Sequence, residues 1–168
     1  MELPRPLVAP LAVVPIPLIE MAVKHMFSSL LKRHPALFER LAEHKVKRYA
    51  FSPADLPLVF VLQPSGAALS VLRKPADPAA DAVVEGPLFQ LLALLEGRCD
   101  ADALFFSRSL MVTGDMEAML ALRNALDGCE IDLPRDLGAS AGPLAPLVSR
   151  TVEAIRRRAL AGENAAWN

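Results

Sequence analysis

The residues best able to do chemistry are three histidines, two cysteines, one serine beside a glycine, and two pairs of acids. His25, His34 and His44 are never paired at i, i+4, and neither Cys99 nor Cys129 stands at ligand spacing from a histidine. A metal site needs such clusters, so none is expected, and with it no metal cofactor. Ser65 precedes Gly66, but the run Gln63-Pro64-Ser65-Gly66-Ala67 lacks the first glycine of a nucleophile elbow and is explained by a hairpin turn. The eight glycines form no spaced set ahead of a helix that would cradle phosphate. Asp100 with Asp102, and Asp115 with Glu117, lie where helices begin, and carboxylates belong there for capping and dipole reasons. No catalytic residue is assigned, and the expected class is not an enzyme.

Composition explains what the chain has instead. Of 168 residues, 53% are hydrophobic but only 5% aromatic, and mean hydropathy is +0.32. Such content excludes intrinsic disorder. The excess of Leu, Ala and Val suggests side chains that line something besides their own core. Net charge is −1, so no global field draws the chain to nucleic acid. Residues 1–50 nevertheless carry +4 and the remainder −5, which allows a basic face toward an anionic surface. The longest apolar run, Leu7 to Ile19, spans thirteen residues and contains Pro10, Pro15 and Pro17. A membrane-spanning helix needs about 20 apolar residues. Glu2 and the prolines also argue against a secretory signal. The expected location is cytoplasmic, with peripheral contact at the inner membrane left open.

The elements follow from periodicity. Residues 1–16 read as a proline-rich extended strap. Ile19, Ala22, Val23, Met26, Phe27, Leu30 and Leu31 recur at helical spacing after Pro17, and Lys32 and Arg33 suit the last turn. A short helix follows from Pro35 to about Glu43. Strands are expected at Val46–Phe51, Leu58–Leu62, Ala68–Arg73, Ala82–Glu85 and Ser107–Thr113, with Ser52-Pro53-Ala54-Asp55 as a capped turn and Pro64-Ser65-Gly66 as a hairpin turn. Gly86-Pro87 opens a helix with Leu88, Leu91, Leu92 and Leu95 on one face, and Gly97 closes it. Gly114-Asp115 ends the last strand and caps a helix over 116–127 that uses Met119, Leu120, Leu122 and Leu126. A final helix is expected over about 144–161. Its stripe of Leu144, Val148, Val152, Ile155 and Ala159 is flanked by Arg156 and Arg158, with Arg150 and Arg157 opposite. That pattern fits either a helix packed on its own domain or one lying on lipid headgroups. Hairpins among helices make the fold class α+β.

One stretch carries a resemblance. Asp100-Ala-Asp-Ala-Leu-Phe-Phe-Ser-Arg108, then Leu110-Met-Val-Thr-Gly-Asp115, then Asn124-Ala-Leu-Asp127, is similar to the sterol-carrier-protein lipid-binding domain family. More narrowly it resembles UbiT-type accessory factors of bacterial ubiquinone biosynthesis. The resemblance extends loosely over residues 17–134, the lipid-binding domain with two leading helices, and leaves 135–168 as linker and amphipathic helix. It implies a sheet of about five strands covered by helices around an apolar lipid cavity, with no chemistry by the domain itself. It further implies a role in oxygen-independent (anaerobic) ubiquinone formation, holding polyprenyl precursors or a phospholipid beside UbiU–UbiV hydroxylase partners. The candidate lining is Leu88, Leu91, Leu92 and Leu95, with Phe105, Phe106, Leu110 and Met119. Arg108 lies on the alternation face of Leu110, where it reaches an anionic group at the mouth or pairs with an acid at the sheet edge. The competing expectation is a protein–protein scaffold of a biosynthetic complex without cargo.

Overall fold

The computed structural model describes residues 13–96, 110–127, 129, 131, 132 and 135. The strap up to residue 12, the Phe105-Phe106-Arg108 segment, the expected Gly97 cap and the final helix lie outside the described residues.

The first helix, α1 (Ile16–Arg33), starts where prolines cost nothing. Pro15 is its N-cap and Pro17 falls in the opening positions, whose N–H groups have no intrahelical partner. The Pro15 carbonyl accepts from the N–H groups of Leu18 (3.0 Å) and Ile19 (3.3 Å). Lys32 and Arg33 occupy the last turn, as their charge favours. A short α2 (Ala36–Arg40) and a 3-10 turn (Ala42–His44) follow.

Five strands then build one sheet in the order β3-β2-β1-β4-β5. β2 (Leu58–Gln63) and β3 (Ala68–Arg73) form the expected hairpin, paired from Leu58↔Arg73 to Gln63↔Ala68. β1 (Tyr49–Pro53) begins three residues later than its apolar pattern suggested. Val46 is 64% exposed. The ladder closes at Arg48, whose N–H donates to the Asp81 carboxylate (2.7 Å) and whose carbonyl accepts from the N–H of Asp81 (2.9 Å). β1 also runs two residues further than expected, because its parallel pairing with β4 (Ala82–Gly86) extends to Ser52↔Glu85 and Pro53↔Gly86. Parallel neighbours need a crossover. Residues 74–81 supply it across the outer face, where Ala80 packs on the buried cluster of Ala50, Val59 and Val61.

Strand alternation puts Tyr49, Phe51, Leu58, Phe60, Leu62, Leu69, Val71, Ala82, Val84 and Val112 on the face that meets the helices. α3 (Leu88–Leu95) lies there, its first N–H taken by the Asp55 carboxylate (2.9 Å), thirty-three residues back in the chain. The residue expected to cap a local turn thus caps a distant helix. β5 (Met111–Gly114) pairs antiparallel with β4 and hands over to α4 (Met116–Asp127). There Asp115 caps as expected, accepting from the Ala118 N–H at 3.0 Å. Leu120, expected with the buried set, is 54% exposed. It follows the buried Met119 by one residue, which rotates it off the core face.

The β3 edge is covered. Glu20 of α1 accepts the Val71 N–H (3.2 Å), taking up a backbone group that would otherwise invite another strand, and the Arg73 guanidinium donates to the Val14 carbonyl just ahead of α1 (2.9 Å).

Candidate functional site

Between the inner sheet face and the helices lies a cavity of ≈ 290 Å³. Its walls come from seven elements. α1 contributes Val23, Met26, Phe27 and Leu30, and α2 contributes Leu37. The sheet floor is Phe51, Pro53, Phe60, Leu62 and Leu69. α3 presents Leu88, Leu91, Leu92 and Leu95, and α4 closes one side with Leu122 and Leu126. No side chain in this set carries an N–H, an O–H or a carboxyl group. The four α3 leucines follow i, i+3, i+4, i+7 spacing, so one helical face delivers all of them.

A second cavity of ≈ 240 Å³ lies on the other side of α4's buried face, toward β5. Val84, Leu94, Leu110, Val112 and Met119 line it, Met116, Leu120 and Arg123 stand at its outer side, and Leu122 and Leu126 appear in both linings. The candidate residues therefore divide. Leu88, Leu91, Leu92 and Leu95 meet in the first cavity, whereas Leu110 and Met119 belong to the second. The sheet floor and the α1 wall were missed by sequence reasoning. Their signal was present in the α1 periodicity and in the run Leu58-Val-Phe-Val-Leu62, but the run does not reveal which alternate set faces inward.

The titratable groups sit away from the walls of the first cavity. Lys47 Nζ bonds Asp115 (2.9 Å) and lies 3.8 Å from Asp81. The hydrogen bond to Asp115 raises the Lys47 pKa, and the Ala118 N–H followed by Lys47 lowers that of Asp115. The bonds from Lys24 and from the Val71 N–H hold Glu20 below the usual carboxylate range. Burial, assisted by the charges of Asp115 and Asp81, pushes the Tyr49 phenol up to about 12. Burial also raises the Cys129 thiol. Among the described residues no three His, Cys, Asp or Glu side chains gather in a metal-binding group. What the first cavity can do chemically is exclude water from hydrocarbon. Its volume stands at the lower end of the range of about 300–1,000 Å³ that ligand pockets occupy.

A mixed five-stranded sheet with helices packed over an apolar hollow is the architecture of the sterol-carrier class of lipid-binding domains. The chain belongs to the SCP-2 sterol transfer family, whose model matches residues 27–127. Among solved structures, the UbiJ-SCP2 ubiquinone synthesis protein superposes with a TM-score of 0.56 at 25% identity, covering 71% of this chain and 98% of that one. Sterol carrier protein 2 from Yarrowia lipolytica, in its apo form, gives 0.44 at 17% identity, covering 64% and 88% of the two chains. The Aedes aegypti sterol carrier protein 2 in complex with C16 fatty acid (palmitate) gives 0.44 at 15% identity, covering 60% and 94%. No curated protein matches the chain by sequence. The expected α+β class and the sterol-carrier resemblance hold. No helix among the described residues is long and apolar enough to cross a membrane.

Proposed function

We propose that this protein is a non-catalytic, lipid-binding accessory factor of ubiquinone biosynthesis. It serves the oxygen-independent route, sheltering a polyprenyl intermediate or a phospholipid while UbiU–UbiV partners act on the cargo. The observation that carries this reading is the first cavity, walled on all its described sides by hydrocarbon and one thioether. Leaving a prenyl tail in water costs about 0.8 kcal/mol per CH₂-sized group, so a molecule passed between enzymes needs such a shelter. Walls without oriented polar groups hold a flexible tail well, because dispersion contacts demand no single registry. The likeness to a ubiquinone synthesis protein supports the assignment to that route, and the polyprenyl tail of its intermediates suits such a hollow.

Native mass spectrometry of the purified protein, with lipid extraction, tests the reading. The wild type is expected to retain a polyprenyl or phospholipid adduct. Leu92→Asn, which places an amide needing hydrogen-bond partners against the tail, is expected to lose most of it while keeping the fold. Repeated recovery without lipid, together with no uptake of added polyprenyl-phenols or phospholipids, overturns the cargo role.

A further inference from the structure

The two cavities have two lining residues in common. Leu122 and Leu126, at i and i+4 on the inner face of α4, line both. Both are almost fully buried, at 2% and 3% exposed. A buried leucine is ordinarily fixed by neighbours on every side, and close packing is what holds its rotamer. Both belong to the same core cluster as Leu91, Leu94 and Met119, so the leucines themselves fill the space between the two cavities. A cavity borders each of them, and a change of rotamer has that space to move toward. The backbone of α4 is meanwhile pinned by the Asp115 cap at its start, so the side chains can move without the helix.

We propose that Leu122 and Leu126 form a displaceable partition between two chambers of one binding site, and that the site takes a single long hydrocarbon tail threaded from the first chamber into the second. This rests on the first cavity holding a lipid tail. The partition then sets the chain-length preference. A short tail occupies the ≈ 290 Å³ chamber alone, and a longer one displaces the two leucines to gain the ≈ 240 Å³ beyond. Val112 and Met116 line only the second chamber, so changes there reach the far end of a long tail and nothing else in the site.

The test is displacement of a fluorescent fatty acid by geraniol, farnesol, geranylgeraniol and solanesol, using the full chain. For the wild type, affinity is expected to keep climbing beyond the length that fills the first chamber, by up to about fourfold for each further methylene-sized group buried. Val112→Phe fills the second chamber. It is expected to weaken geranylgeraniol and solanesol by about tenfold or more while geraniol changes less than about twofold. Met116→Trp, at an exposed rim position that folding tolerates, is expected to act in the same direction and guards against a misfolded Val112→Phe. The pair Leu122→Ala and Leu126→Ala, which opens the partition, is expected to shift preference toward the longest prenols. Unchanged length profiles in Val112→Phe and Met116→Trp, with all prenols still bound, overturn the partition alone. Failure of the wild type to bind any prenol or any phospholipid overturns the carrier reading and the partition with it.

Discussion

Gly114 joins β5 to the helix that carries the shared wall, and its replacement by alanine has a cost that can be worked out from its surroundings. Its φ is +91°, a backbone region that L side chains rarely adopt. A Cβ built there falls 2.2 Å from the Asp81 carbonyl oxygen and 3.1 Å from the Ala82 Cα. The same oxygen accepts the Asp115 N–H at 2.8 Å, so it cannot retreat without breaking the bond that leads into the α4 cap. The left-handed conformation costs about 1–2 kcal/mol for a residue with a Cβ. Losing the hydrogen bond adds about 0.5–1.5 kcal/mol. A total of about 1.5–3.5 kcal/mol is a large fraction of the roughly 5–15 kcal/mol that holds a domain together. Gly66 is the control. Its φ is +83°, but a Cβ there meets nothing within 4 Å, so Gly66→Ala carries the conformational cost only. Urea unfolding followed by circular dichroism is expected to place the Gly114→Ala midpoint well below both wild type and Gly66→Ala, at unchanged m-value. Equal midpoints for the two variants would refute the steric argument and with it the view that β5 and β4 are locked at this point.

Two further changes probe groups around the same end of the sheet. Asp115→Ala removes the acceptor of the Ala118 N–H and the partner of Lys47, and is expected to lower the urea midpoint at neutral pH. Because the folded carboxyl titrates below its ordinary 3.8, the wild-type advantage is complete above that value and disappears as pH falls through the lower folded one. An acid titration of both proteins checks this. Tyr49→Phe deletes a buried hydroxyl with no hydrogen-bond partner among the described residues, and is expected to leave stability unchanged or raise it by about 1 kcal/mol. The Tyr49 pKa is raised from 10.0 to about 12, so the wild type keeps its stability below pH 10 and loses part of it as pH climbs between those two values. The phenylalanine variant is expected to escape that loss, and the difference between the two denaturation curves across this window is the measurement.

Elements governed by neighbours in the chain were legible in the residues. The turn at Pro64-Ser65-Gly66 and the apolar runs on either side place β2 and β3 to within a residue, because a hairpin is a local decision. Gly114-Asp115 is likewise readable, since a left-handed glycine followed by a capping carboxylate serves both a strand end and a helix start. Elements decided by distant pairing were not. β1 takes its start from Asp81 and its end from Gly86, and nothing near Val46 announces either. Asp55 looks like a turn residue because turns favour aspartate, yet its carboxylate is spent on the N–H of Leu88. Of the site, the α3 leucines could be anticipated as one face of a helix. That the face opens on a hollow could not, because leucine against leucine and leucine against a void are written with the same letter.

The composition of that hollow constrains how it selects. A hydrogen-bonding site rejects a ligand that leaves its donors unpaired, and that penalty is the main source of sharp chemical discrimination. Among the described residues the lining side chains of the first cavity carry no such donors, so these side chains do not tell one polar headgroup from another. Each methylene buried counts about the same whichever molecule supplies it. Selection by this wall is therefore selection by length and bulk. The position of α4 matters for that reason: it bounds both chambers through Leu122 and Leu126, and its start is tied to the sheet through Asp115, Lys47 and Gly114. A displacement of α4 alters the volume open to a tail, whereas a change of a surface charge far from it does not. Under the proposed carrier role, recognition of a headgroup falls to groups outside this described wall, and the wall itself contributes only shelter for hydrocarbon.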